Sequence, residues 1–175
     1  METIGFDLDG VIYNIHPVAY TELVANWGLS VSEYNFWSNY KSFYTENFYA
    51  QFFQLPFLYC RSVPSRDVRE TLDYIATKYR LCYITSRNEH ALRFVTESWM
   101  KKYDLPYRTN LEFSKNKSIE IRMYDCSYFV EDQWVQWKID KINKITNLIL
   151  VDAIYNKHII NVPRIRSIKE LQTLL

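Results

Sequence analysis

A chain of 175 residues, 48% hydrophobic and 23% charged, has the composition of one globular domain and excludes a disordered or low-complexity polymer. Its formal charge of +1 argues against a dominant nonspecific grip on nucleic acid, which needs a broad basic footprint. No apolar run is long enough to span a bilayer, and no secretory leader pattern follows Met1, so a cytoplasmic protein away from membranes is expected.

The first element is an apolar strand carrying Ile4, Phe6 and Leu8, which runs into Phe6-Asp7-Leu8-Asp9-Gly10-Val11. Pro17 suits the start of a helix over Val18 to Trp27, and Gly28 suits the position just past its end. Ser30 and Ser32 can cap a second helix through Glu33, Phe36, Trp37 and Tyr40, and a third runs from about Glu46 to Gln54 until Pro56 stops it. Residues 14–62 therefore read as an all-helical block without a strand. Val63-Pro64-Ser65 introduces a helix with Val68, Leu72, Ile75 and Ala76 on one face. Next come a strand at Leu81 to Ile84, a helix at Glu89 to Tyr103 and a strand near Leu111 to Phe113. A helix over Ser118 to Tyr124, a strand at Tyr128 to Val130 and a helix near Val135 to Ile145 follow. Leu148 to Val151 is the last predicted strand, and a short helix starts at Ser167. Alternating helices and wholly apolar strands indicate an α/β fold, a doubly wound parallel sheet covered on both faces. The three cysteines (Cys60, Cys82, Cys126) show no CxxC spacing and read as buried thiols.

In such sheets ligands gather beyond the carboxyl ends of the strands. Asp7 and Asp9 follow the first strand, and Thr85-Ser86-Arg87 follow the strand at Leu81 to Ile84. Lys117 precedes the helix at Ser118, and Glu131-Asp132 follow the strand at Tyr128 to Val130. Acid, hydroxyl, base and acid thus reach one edge from separate loops. Oxygen donors of this kind suit Mg²⁺, held by Asp7, Asp132 and the Asp9 backbone carbonyl. Asp7 could attack phosphorus, with Asp9 protonating the leaving oxygen and then activating water. Lys117 would offset the gathered anions, and the Thr85 hydroxyl would hold phosphoryl oxygens. Ser86 joins Thr85 as a candidate for phosphate binding or for capping the next helix, and Arg87 either contacts the phosphate or supports its loop. Lys115 is the near rival of Lys117. Among the aromatics of the helical block, most are expected in the core and one or two against a substrate ring. His16 reads as a surface or core residue within reach of the cleft.

FDLDGV, YITSR, Lys117 and FVEDQ resemble, in this order, the four motifs of the haloacid dehalogenase-like (HAD) phosphohydrolases, with the fourteen-residue gap from Lys117 to Glu131 usual for them. The resemblance covers nearly the whole chain. It implies a HAD-like core at 1–13 and 63–175 and a C1-type helical cap at 14–62. It also implies Asp7 as nucleophile, Asp9 as acid/base, Asp132 as direct Mg²⁺ ligand and Glu131 acting mainly through water. ITSR, the stretch Glu97 to Pro106, and Leu150-Val151-Asp152-Ala153-Ile154-Tyr155-Asn156 resemble the 5′(3′)-deoxyribonucleotidase branch, which implies a nucleoside monophosphate as substrate. The same residues would serve a phosphotransferase or phosphomutase, and a non-catalytic nucleotide-binding protein could retain the metal cleft.

Overall fold

The computed structural model describes residues 1–175. Six strands, β1 (Thr3–Phe6), β4 (Arg80–Thr85), β5 (Leu111–Phe113), β6 (Cys126–Glu131), β7 (Asn147–Val151) and β8 (Arg164–Ile165), form one sheet. Their order is β5-β4-β1-β6-β7-β8, and every neighbouring pair is parallel. Helices α5 (Val68–Ala76), α6 (Glu89–Lys102), α7 (Ser118–Met123) and α8 (Gln136–Asn143) make the crossovers, and α9 (Leu171–Leu174) ends the chain. The chain first builds outward from β1 through β4 to β5, then returns to the other side of β1 with β6. That reversal opens a crevice at the carboxyl end of β1, where the strand order switches.

Alternation along the strands feeds two apolar layers. Ile4, Phe6, Leu81, Tyr83, Val130 and Ile149 pack on one face, while Cys82, Ile84, Phe129, Leu148 and Leu150 pack on the other. Two of the expected buried thiols, Cys82 and Cys126, lie in that second layer, but Cys60 is exposed. It sits on the outer side of a short helix, a facing that composition cannot reveal.

The helical segment comprises α1 (His16–Asn26), α2 (Glu33–Ser38), α3 (Glu46–Phe52) and α4 (Pro56–Arg61). Ser32 caps α2 by accepting the Asn35 amide at 3.3 Å, and Thr45 caps α3 by accepting the Phe48 amide at 3.1 Å. Gly28, with φ +72°, takes the left-handed turn after α1. Three features depart from the sequence reading. Pro56 starts α4 as well as ending the preceding stretch, because proline suits a first helical turn whose N–H has no partner anyway. Tyr40 falls in a 3₁₀ turn after α2 rather than within it. A two-residue antiparallel ribbon, β2 (Tyr13–Asn14) with β3 (Val63–Pro64), pairs the two ends of the segment. Strands that short carry no alternation to detect, and the same holds for β8. Ala19, Leu23, Phe36, Phe52, Leu58 and Tyr59 share one buried cluster with Ile4 and Phe6 of β1 and Leu92 of α6. No helix is long and apolar enough to cross a membrane.

Candidate active site

The site begins where β1 runs out. The Asp7 amide still donates to the Val130 carbonyl at 2.9 Å, which fixes Asp7 beside β6. The chain then folds back so tightly that the Leu8 carbonyl accepts the amides of Val11, Ile12 and Tyr13. Gly10 sits in this turn with φ +79°, and a Cβ there would lie 1.7 Å from Oδ2 of Asp132. The glycine therefore serves the turn and clears the space for a carboxylate arriving from another loop.

Three buried carboxylates, Asp7, Glu131 and Asp132, converge with ligand oxygens within 4.8 Å of one another. Lys117 Nζ lies 2.8 Å from Asp7 Oδ1 and 2.8 Å from Glu131 Oε2, so it occupies the place where Lys115 was the rival. The Asp132 backbone is held by Asn156, whose Nδ2 donates to the Asp132 carbonyl at 3.0 Å and the Val151 carbonyl at 2.8 Å. The Tyr155 hydroxyl donates to Asp132 Oδ2. Arg164 in turn donates to Asn156 Oδ1 at 2.7 Å. Tyr155 and Asn156 belong to the Leu150–Asn156 stretch that resembles the nucleotidases, where nothing in the sequence alone points to these roles.

One ammonium set against three buried carboxylates leaves a surplus of negative charge. Burial first, and then the neighbouring Glu131, push Asp7 well above the ordinary carboxylate range. Burial and Asp7 push Asp132 up to about 7. A hard divalent cation with oxygen ligands suits this donor set and would relieve the repulsion. The surplus also has a measurable consequence. Because the folded value for Asp132 is about 7 against an ordinary 3.8, the folded protein binds that proton more tightly than the unfolded chain does. The stability gained is complete below about pH 4 and is lost as pH rises through about 7. Thermal melts without divalent ions are therefore expected to show a midpoint falling by several degrees from about pH 5 to about pH 7.5. A flat or rising midpoint would contradict the charge surplus.

Thr85 is fully buried at the end of β4, and its Oγ accepts the Arg87 amide at 3.3 Å. Ser86 is exposed and stands in the cavity wall, while the cap of α6 is Asn88, which accepts the Ala91 amide at 3.3 Å. The Arg87 guanidinium donates to both carboxylate oxygens of Asp9, at 3.0 and 2.6 Å, and to Thr96 Oγ at 2.8 Å. It lies against the rings of Tyr13 and Tyr59, 3.8 and 4.2 Å from their centroids. The Asp9 carboxylate is thus paired with Arg87, whereas Asp7 and Glu131 are paired with Lys117.

A cavity of about 410 Å³ opens over these groups, with Asp7, Asp9, Lys117 and Asp132 in its lining. Trp37, Tyr40 and Phe53 of the helical segment and Trp134 and Tyr155 of the sheet side line the rest, with Gln54, Asn88 and Gln133 between them. Tyr40 meets Trp134 edge-on at 5.6 Å, so the two sides touch at the rim. His16 also lines the cavity, with its ring 4.7 Å from Trp37, and burial pulls its imidazole down to about 4.

This architecture is shared over its whole length with solved structures. A HAD-superfamily hydrolase, subfamily IA, variant 1, from Geobacter sulfurreducens superposes with a TM-score of 0.64 at 14% identity, covering 100% of both chains. The fold is that of the haloacid dehalogenase-like proteins. A predicted phosphoglycolate phosphatase from Haemophilus somnus shares this HAD-like fold with a TM-score of 0.65 at 16% identity, covering 99% of this chain and 97% of its own. The L-2-haloacid dehalogenase of Xanthobacter autotrophicus gives a TM-score of 0.57 at 11% identity, with 99% and 98% covered. No family model and no curated protein sequence matches the chain. The HAD-like fold is thus established by shape at identities too low to carry an activity across.

Proposed function

We propose that the protein is an Mg²⁺-dependent phosphomonoester hydrolase working through an aspartyl-phosphate on Asp7. One observation carries this reading: in the lining of the cavity Asp7 pairs with Lys117 and clusters with two further carboxylates, and Asp9 lines the same opening. Lys117 and the Leu8 amide both bind Asp7 Oδ1, at 2.8 and 2.7 Å, which fixes the orientation of the carboxylate that would attack phosphorus. As that bond forms, the bond from phosphorus to the substrate alcohol breaks, and Asp9 gives its proton to the departing oxygen. Water then attacks the phosphoaspartate, Asp9 takes its proton, and inorganic phosphate leaves Asp7. Ser86, which lines the cavity beside the buried Thr85, would supply a hydroxyl to phosphoryl oxygens, and Lys117 would offset their charge. Asp7, Glu131, Asp132 and the Asp9 carbonyl would hold Mg²⁺, which when bound screens the phosphate's charge from the attacking carboxylate.

In this reading residues 14–62 act as a cap over a core formed by 1–13 and 63–175, since Trp37, Tyr40 and Phe53 line the same cavity as Asp7 and Asp9. Aromatic rings interleaved with amide side chains suit a planar, hydrogen-bonding group, so a nucleoside monophosphate is the proposed substrate. The purified protein is expected to release phosphate from nucleoside 5′- or 3′-monophosphates and from p-nitrophenyl phosphate when Mg²⁺ is present. EDTA should cut the rate by about 100-fold or more, and excess Mg²⁺ should restore it. Absence of release across a phosphoester panel with Mg²⁺ would overturn the hydrolase reading. Release from aryl phosphate but from no nucleotide would overturn only the substrate.

A further inference from the structure

We propose that Arg87 is a positioning residue for proton transfer, holding the Asp9 carboxylate from behind so that it can serve the leaving oxygen; this rests on the hydrolase reading above. The Arg87 side chain is 1% exposed and that of Asp9 31%, so the cation lies inside and the carboxylate faces the cavity. Nε and Nη2 each take one Asp9 oxygen, a two-point grip that fixes the plane of the carboxylate as well as its position. Each oxygen has a second lone pair for the proton that passes to or from the reacting group.

The grip is itself braced. Nη1 donates to Thr96 on α6, and the guanidinium lies against Tyr13 from the ribbon and Tyr59 from α4. Tyr13 stacks on Trp99 at 3.5 Å and donates to the Thr96 carbonyl, and Trp99 donates to the Ser62 carbonyl at 2.8 Å. Elements from the helical segment and the sheet side therefore set one guanidinium, and through it one carboxylate. With two tyrosine rings against it and three of its N–H groups engaged, the guanidinium has little left to offer a phosphate. Its contribution lies in orientation, which governs how well a proton transfer competes with bond cleavage.

Leaving-group dependence separates this role from phosphate binding and from simple structural support. Benzyl phosphate expels an alcohol that needs a proton, whereas p-nitrophenyl phosphate expels a phenolate that does not. The value of kcat/KM covers every step through departure of that group. In Arg87→Met the ratio of kcat/KM for benzyl over p-nitrophenyl phosphate is expected to fall on the order of 100-fold relative to the unsubstituted protein. The same substitution placed in Asp9→Asn should change that ratio by less than about 3-fold, because its intermediary is already gone. The ratio is taken within one sample, so partial loss of folded protein cancels. Should Arg87→Met fail to fold, Thr96→Val loosens the same grip and should shift the ratio in the same direction. Equal losses on both substrates, or full additivity with Asp9→Asn, would overturn the positioning role while leaving the hydrolase reading intact. An unsubstituted protein inert on both esters would instead overturn the hydrolase reading, and this role with it.

Discussion

Asp7→Asn is expected to abolish turnover and, at the same time, to raise the melting temperature. The first effect follows from the proposed mechanism: an amide could not form the phosphoaspartate, and loss of a nucleophile costs on the order of 10⁴-fold or more in kcat. The second follows from the charge surplus. Burial and Glu131 hold Asp7 well above the ordinary carboxylate range, so its charged form destabilises the folded state at neutral pH. A group raised in this way supplies stability only while it carries its proton, and that stability disappears as pH climbs through its folded value. Asparagine keeps the shape and removes the charge, while Lys117 retains Glu131 at 2.8 Å. Melts in EDTA should show the variant several degrees above the parent near pH 7.5, with the gap closing at about pH 4.5. Turnover surviving in the variant would remove Asp7 as nucleophile. A lower midpoint at neutral pH would show that Asp7 stabilises the ion cluster instead of straining it.

Lys117→Met should have the opposite effect on the fold. The ammonium is buried between Asp7 and Glu131, whose attraction outweighs the cost of burial and holds it charged. Removing one partner from a buried ion cluster leaves the others uncompensated, at a cost of about 3–5 kcal/mol. That is a large share of the roughly 5–15 kcal/mol by which domains of this kind are stable. Urea unfolding at neutral pH without divalent ions should show the loss, and acidification should shrink it because Asp7 and Asp132 then take up protons. Activity should fall with it, since Asp7 Oδ1 loses its cationic partner. A change below about 1 kcal/mol would mean that the carboxylates are already neutral when folded.

These expectations rest on parts of the site that could be read from the chain alone, and the reason is local. Asp7, Lys117 and Glu131-Asp132 each stand at a fixed place relative to an apolar strand or a helix start, so a parallel sheet must deliver them to one edge. Gly10 could be read as a turn, but not as the gap that Asp132 fills, because that contact joins loops 122 positions apart (132 − 10). The grip of Arg87 on Asp9 was hidden for the same reason. It spans 78 positions, and its bracing rings come from Tyr13 and Tyr59, tyrosines indistinguishable in sequence from the many others. The ribbon of β2 and β3 and the start of α4 at Pro56 were missed because elements of two to six residues leave too short a pattern. Asn156 lies in the stretch that resembles the nucleotidases, yet its task of tying Asp132 to the end of β7 emerges only from three-dimensional hydrogen bonding.

The central place of β1 sets the order in which the protein can assemble. One neighbour begins at Arg80 and the other at Cys126, so the strand made earliest waits longest for its second partner. During synthesis an apolar ribbon with an unsatisfied edge persists until most of the polypeptide has emerged. A ribosome stalled before β6 leaves a product with half its sheet and a bare flank open to strand addition, the kind of species that chaperones and proteases intercept.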